Sequence, residues 1–392
     1  MADGFLAPKA GFATKAIHAG HNPSKWYSSP AVVPIVTSTT YKQRGPNDND
    51  GFVYGRSANP TRNSLQDALA ALDGGKHALA FPSGLGATTV LVSLLKHGDH
   101  ILSCDDLYGG TNRLLRNLCA KMDIELTFAD FTNIDNVKNG IKNNTRMIWL
   151  ESPTNPSFKV IDIAAVKNVA NTHKDIIVIV DNTFLTPYLQ RPLDFGADVV
   201  VYSLTKYMNG HTDIIMGAAV VNDDELAEKL KFLRNALGVV PSPYDCYMVN
   251  RSLKTLALRM EQHKKSSLAI AKWLQKHPNV TEVLHPGLPT HPQYALTQKQ
   301  TSGHSGVFSF KHSGGLKESR QLLQKFKLFL LAESLGGCES LASLPSLMTH
   351  ASVSAEQRAE LGITDSLVRL SVGLEDTDDL LEDLKQAFKA VF

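Results

Sequence analysis

A chain of 392 residues is too long for one ordinary hydrophobic core, so two domains, or three, are expected. Its 43% hydrophobic and 20% charged residues describe a globular protein and exclude the disordered and fibrous classes. A formal net charge of +2, with the basic residues scattered, gives no electrostatic case for a nucleic acid or an anionic membrane as partner. The longest apolar runs, such as Ile176–Val180, fall far short of the ~20 residues of a membrane span. No basic segment followed by an apolar one opens the sequence, and lysines without an arginine before Gly20 make a poor transit peptide. Cys104, Cys119, Cys246 and Cys338 lie far apart and form no C-x-x-C pair, which argues against a zinc site and a disulfide framework. A reduced, cytoplasmic compartment is therefore expected, with no metal.

Residues 1–57 show little helical periodicity. Pro23, Pro30, Pro34 and Pro46, with the polar run G-P-N-D-N-D-G over Gly45–Gly51, predict an extended arm. Such an arm buries little by itself and is expected to lie on another part of the molecule or on a second subunit. A helix follows, with Asn59 as N-cap, Pro60 at its first position and a stop at Gly74-Gly75. Strands are then predicted at Ala78–Phe81, His100–Cys104, Glu125–Phe128, Arg146–Glu151, Asp175–Val180 and Asp198–Tyr202. Helices fall between them: after Ser83, over Thr111–Met122, up to Gly140 and over Ile163–His173. This alternation predicts βαβ units, hence an α/β fold with a mostly parallel central sheet covered on both faces. Ligands in such folds bind at the carboxyl ends of the strands. Beyond Asn222 helices dominate, and Ser252–His277 is long enough to join domains. Strand-like Gly306–Phe310 and Val368–Val372, with helices near Leu316–Lys325 and from Asp376, predict a smaller C-terminal α+β domain. The expected division is an arm over 1–57, a ligand-binding domain over 58–257 and a C-terminal domain over 258–392.

Several polar groups fall at predicted strand ends. Lys206 lies in S-L-T-K, just past the run D-V-V-V-Y, between the hydroxyls of Ser203 and Thr205. It is either a lysine that snorkels to solvent or a desolvated amine able to attack carbonyls and form Schiff bases. Asp181 ends the β-branched run I-I-V-I-V, where a carboxylate is costly unless paired with a structural partner or a cationic ligand atom. F-P-S-G-L-G-A-T (Phe81–Thr88) is a small-residue loop opening a helix, either a plain turn or a phosphate cradle. It is a poor dinucleotide fingerprint, because Thr89 stands where glycine or alanine belongs. Tyr108, beside two glycines, is placed to pack at a loop edge or to lie flat on a planar ligand. Asn155, between prolines in S-P-T-N-P, reads first as a turn residue. One ligand satisfies these features together, pyridoxal phosphate (PLP). Its phosphate would take the Gly84 loop with Ser203 and Thr205, its ring nitrogen Asp181, its aldehyde Lys206 and its ring face Tyr108.

The stretch D-V-V-V-Y-S-L-T-K-Y-M-N-G-H-T (Asp198–Thr212) resembles the PLP-attachment signature of the Cys/Met-metabolism enzymes, a family that includes the cystathionine lyases and synthases and methionine γ-lyase. The likeness runs from G-F-A-T-K-A-I-H-A-G (Gly11–Gly20) to R-L-S-V-G-L-E (Arg369–Glu375). It implies PLP fold type I, the aspartate-aminotransferase-like architecture. It also implies Lys206 as the cofactor lysine, Asp181 as the pyridinium partner and Tyr108 as a stacking and acid/base group. Gly84, Leu85, Ser203 and Thr205 would hold the phosphate, with Thr183 also at the cofactor. Tyr54 and Arg56, in Y-G-R-S-A-N-P-T-R, would reach the neighbouring subunit's phosphate. Arg369 would clamp the substrate α-carboxylate, helped by Ser334 and Asn155, with Glu333 and Arg113 as further substrate contacts. Methionine γ-lyases carry a cysteine where this chain has Gly110, and Glu333 matches the γ-lyases and γ-synthases, whereas β-lyases have tyrosine there. Leu204 departs from the signature, which has a small residue at that position.

The activity so implied is a γ-elimination on L-cystathionine giving cysteine, 2-oxobutanoate and ammonia, with hydrogen sulfide release from cysteine or homocysteine as a side reaction. The alternative within the family is γ-replacement on an O-acylhomoserine by cysteine. The implied assembly is a homotetramer, a dimer of dimers with active sites shared between subunits. The partner is then a small sulfur amino acid, with no nucleic acid and no membrane.

Overall fold

A computed structural model describes residues 4–351 and 354–392. Helix α1 (Phe12–His18) lies within the arm and corrects the reading of 1–57 as lacking helix. Its apolar stripe is only Phe12 and Ala16, four residues apart, too little to stand out as a period. Both are buried, and the Phe12 ring meets the Tyr188 ring edge-on at 5.0 Å between centroids. Docking onto the large domain thus holds the helix in place. Helix α2 (Pro60–Asp73) begins and ends where its signals put it. The Asn59 side chain accepts from the Arg62 amide, and Gly74 closes the helix in the left-handed conformation.

Seven strands form the central sheet: β1 (His77–Phe81), β2 (His100–Cys104), β3 (Glu125–Ala129), β4 (Thr145–Glu151), β5 (Ile177–Asp181), β6 (Val199–Ser203) and β7 (Gly217–Val221). Their order is β1-β7-β6-β5-β4-β2-β3, parallel except for β7, which runs antiparallel to both neighbours. Sequence reasoning missed β7 because G-A-A-V-V is short on β-branched and aromatic residues. The packing explains the small residues: a Cβ at Gly217 would run into the Ser83 carbonyl, in the loop that opens the next helix. Both faces of the sheet are covered. Along β6, Val199 and Val201 join one apolar cluster, while Val200 and Tyr202 join another on the opposite face.

The predicted helix over Ser252–His277 is two helices, Pro243–Leu253 and Leu256–Leu274. The Ser252 carbonyl, instead of continuing a single helix, takes the Arg259 guanidinium at 2.9 Å and the Thr255 hydroxyl at 3.2 Å. The smaller sheet orders Leu330–Leu331, Leu341–Ser343, Leu367–Ser371, Val307–His312 and Val280–Leu284, the first pair parallel and the rest antiparallel. Among the described residues, no helix is long and apolar enough to cross a membrane.

Candidate active site

The parallel strands β4, β5 and β6 end side by side in Glu151, Asp181 and Ser203, with Glu151 paired in register with Asp181. Their carboxyl ends open onto a cavity of about 320 Å³. All the candidate site residues line it except Tyr54, Arg56 and Arg113.

At one end of the cavity lies the amino terminus of α3 (Gly84–Val92), whose first-turn amides have no partner inside the helix. The Ser83 hydroxyl caps it, accepting from the Gly86 amide at 2.9 Å. A Cβ at Gly84 would stand 3.2 Å from the Ser203 Cβ, so glycine keeps this cradle open. The backbone around it is pinned by hydroxyls. Thr183 Oγ1 accepts from the Ser203 amide at 2.8 Å, and Thr205 Oγ1 accepts from the Met216 amide at 3.0 Å. Free first-turn amides at the positive end of a helix dipole make a site for an anion such as phosphate.

Lys206 lies one turn beyond β6, its amide bonded to the Ser203 carbonyl. Its Nζ donates to the Ser334 hydroxyl at 2.8 Å. Burial lowers its pKa to about 8; the Arg369 charge adds to this and Glu333 opposes it. Ser334 is held at φ 112°, a backbone conformation that costs a non-glycine residue about 1–3 kcal/mol. Arg369, on the strand Leu367–Ser371 of the small sheet, donates to Asn155 Oδ1 and to the Ser334 carbonyl, each at 3.0 Å. Its Nε is buried without a partner, and burial lowers its pKa to about 10. A buried guanidinium that borders a cavity suits a carboxylate. Glu333 borders the same cavity from an exposed position.

Tyr108 precedes α4 (Gly109–Met122), and its ring lies across Gly110, where a Cβ would collide with it. Its amide donates to both carboxylate oxygens of Glu151, at 3.0 and 3.1 Å. Asp181 accepts from the Thr183 amide at 3.0 Å. Burial raises the pKa of Asp181, and burial together with the Asp181 charge raises that of Glu151 well above the carboxylate range. Neither acid has an ion-pair partner among the described residues. Glu151 was missed in the sequence, although it ends the apolar run M-I-W-L just as Asp181 ends I-I-V-I-V. The reasoning that found one acid would have found the other.

Tyr54, Arg56 and Arg113 lie elsewhere. Arg56 donates to the Asn235 carbonyl at 2.7 Å within its own chain, its guanidinium 5.6 Å from the centre of the Tyr54 ring. Arg113 is exposed on α4. Leu204 is fully buried in the apolar cluster that holds Tyr202 and Tyr207, so the core behind the lysine is built around its bulk.

PLP fits these residues: the glycine cradle suits its phosphate, the unpaired Asp181 a protonated ring nitrogen, and the amine of lowered basicity its aldehyde. The fold and the cavity together are those of a fold type I PLP-dependent enzyme. The chain belongs to the Cys/Met metabolism PLP-dependent enzyme family, which residues 13–389 match. It is 52% identical to the cystathionine gamma-lyase of Homo sapiens, over 99% of this chain and 96% of that one. The structure of cystathionine gamma-lyase from Lactobacillus plantarum, complexed with L-serine, superposes with a TM-score of 0.93 at 37% identity, covering 97% of this chain and 99% of that one. Cystathionine gamma synthase from Xanthomonas oryzae, in complex with cystathionine, superposes at 0.94 with 39% identity, covering 98% and 99%.

Proposed function

We propose that this chain cleaves L-cystathionine by γ-elimination, with water yielding L-cysteine, 2-oxobutanoate and ammonia. The observation that carries this reading is the near full-length identity of about half to cystathionine gamma-lyases, on a cavity that fits PLP at one end and an amino acid at the other. PLP bound here supplies the electron sink that makes the substrate Cα and Cβ protons removable. The residues of the chain do the rest. Lys206 anchors the cofactor's aldehyde and, as a free amine of lowered basicity, takes protons from the substrate carbon. Asp181 holds the ring nitrogen protonated. Gly84, Leu85, Ser203, Thr205 and Thr183 secure the phosphate end. Arg369 holds the α-carboxylate, steadied by Asn155 and Ser334. Tyr108 covers the ring face and gives the departing γ-sulfur its proton. Glu333, at the cavity's edge, faces the distal ammonium of cystathionine, and Arg113, exposed on α4 outside the cavity, is left as a substrate contact on the family likeness alone. The same apparatus releases hydrogen sulfide from cysteine or homocysteine as a side reaction.

The division at 57 and 257 belongs to this reading. It is supported by a seven-stranded sheet confined to 77–221 and a second sheet that starts at 280. So does a homotetramer of two dimers, in which Tyr54 and Arg56 complete the phosphate site of the neighbouring subunit. Their position outside their own cavity favours it, as do Phe232 and Leu258, 69% and 75% exposed on helices of the large domain and its exit. Free cysteines, three of the four buried, favour the reducing cytoplasm.

Incubating the purified protein with L-cystathionine, and separately with an O-acylhomoserine plus cysteine, tests the activity. Formation of 2-oxobutanoate with cysteine from cystathionine is expected. Its absence, or consumption of the acyl ester into cystathionine as the dominant reaction, overturns the assignment.

A further inference from the structure

Glu151 takes no part in the reading above, yet it sits in the cavity wall between two groups that do. Its backbone ends β4 in register with Asp181 on β5, so the two acid side chains leave adjacent strand ends. Both of its carboxyl oxygens meet the amide of Tyr108, at 3.0 and 3.1 Å, at the point where the loop after β2 turns into α4. It is buried, and no lysine, arginine or histidine among the described residues forms an ion pair with it. Asp106, itself buried and held by the Thr154 hydroxyl at 2.5 Å, adds a further acid to the same neighbourhood. Acids this close and this dry do not all ionise. Asp181 is the one that faces a cation when the cofactor is bound, and Asp106 takes both the Thr154 hydroxyl and the Ser157 amide, which leaves Glu151, with the Tyr108 amide as its donor, as the acid that keeps its proton.

We propose that Glu151 is a positioning residue for the cofactor ring, fixing Tyr108 over one face through the Tyr108 amide while standing as a neutral neighbour beside Asp181. Its function requires reach and an acceptor oxygen, not a negative charge. The backbone amide of Tyr108 sets where α4 begins and hence where the tyrosine ring lies across Gly110. Without Glu151 that amide loses its acceptor, and the ring loses its fixed height above the cofactor plane. The inference rests on the PLP site already assigned. The yellow absorbance band of the wild-type holoenzyme tests that assignment separately.

The deciding experiment compares Glu151→Gln with Glu151→Asp. Glutamine keeps the length and the acceptor oxygen and cannot ionise; aspartate keeps the carboxyl group but falls one methylene short of the Tyr108 amide. The readouts are the dissociation constant of PLP from each holoenzyme and the visible circular dichroism of the bound cofactor, which reports how firmly the ring is held. Glutamine is expected to stay within about threefold of wild type in cofactor affinity and to keep the dichroic band. Aspartate is expected to weaken cofactor binding on the order of tenfold and to lose most of the band. Aspartate matching wild type while glutamine fails would show that charge is what matters and overturn the proposal. Equal loss in both variants, or no loss in either, overturns it as well.

Discussion

At the carboxyl edge of the seven-stranded sheet, Glu151, Asp181 and Ser203 end strands that each have a hydrogen-bonded neighbour on both sides. In the arm, Tyr54 and Arg56 are placed by a single bridge between Thr40 and Tyr54 and by Arg62, which donates to the Gly55 and Arg56 carbonyls at 2.9 and 3.1 Å. The edge residues converge on one cavity because the ladder leaves them no other direction. The arm residues diverge from it, and the Arg56 guanidinium donates to the Asn235 carbonyl of its own chain instead. A sheet edge thus builds a site within one chain, whereas the arm leaves Tyr54 and Arg56 outside that site.

The largest expected effect tests that contrast directly. Lys206→Ala should lower turnover on the order of 10³-fold or more, and Arg56→Ala should weaken cofactor binding in the homomeric enzyme. Hybrids of the two inactive proteins should regain activity, because one subunit then supplies the lysine and the other the arginine. Verified hybrids with no activity would confine both residues to one chain and erase the distinction. Next in size is Arg369→Ala, which removes a forked donor from the α-carboxylate. A loss of kcat/KM on the order of 10²–10³-fold is expected, with Arg369→Lys restoring little of it, since an ammonium cannot replace two parallel donors. Gly110→Ala should cost between about tenfold and a hundredfold in kcat/KM with little change in melting temperature. The added methyl meets the Tyr108 ring rather than backbone, so the ring is what moves.

The smallest effect concerns acidity. Burial favours the neutral amine of Lys206, so its free-base fraction rises as pH passes about 8, well before an exposed lysine near 10.5. Competitive acylation of the cofactor-free protein, followed residue by residue by mass spectrometry, should show Lys206 reacting half-maximally near pH 8. A midpoint with the surface lysines would mean that the strand edge does not desolvate it.

Most of the edge was legible in the sequence for a physical reason. Buried parallel strands are continuous β-branched runs, and a polar residue that ends such a run announces itself, as Asp181 and Lys206 do. At Glu151 the same signal is masked, because the run M-I-W-L carries a single β-branched residue and is followed at once by the proline turn S-P-T-N-P. The strand β7 hid for the opposite reason: close approach of the Ser83 loop demands glycine and alanine, which mask strand character. In the arm, α1 is stabilised by contacts with α2 and the helix Leu256–Leu274, and no local pattern records contacts of that kind. The convergence of Arg369 with Ser334, 35 residues away, and with Asn155, 214 residues away, likewise follows from the family likeness and not from any local spacing.

The central claim is that the sheet edge presents Lys206, and no other lysine, to PLP. Borohydride reduction of the purified holoenzyme, followed by peptide mapping, tests it most directly. One pyridoxylated peptide is expected, carrying the modification on Lys206, with the visible band of the protein lost in step. Modification at a different lysine, or no bound chromophore to reduce, would contradict it.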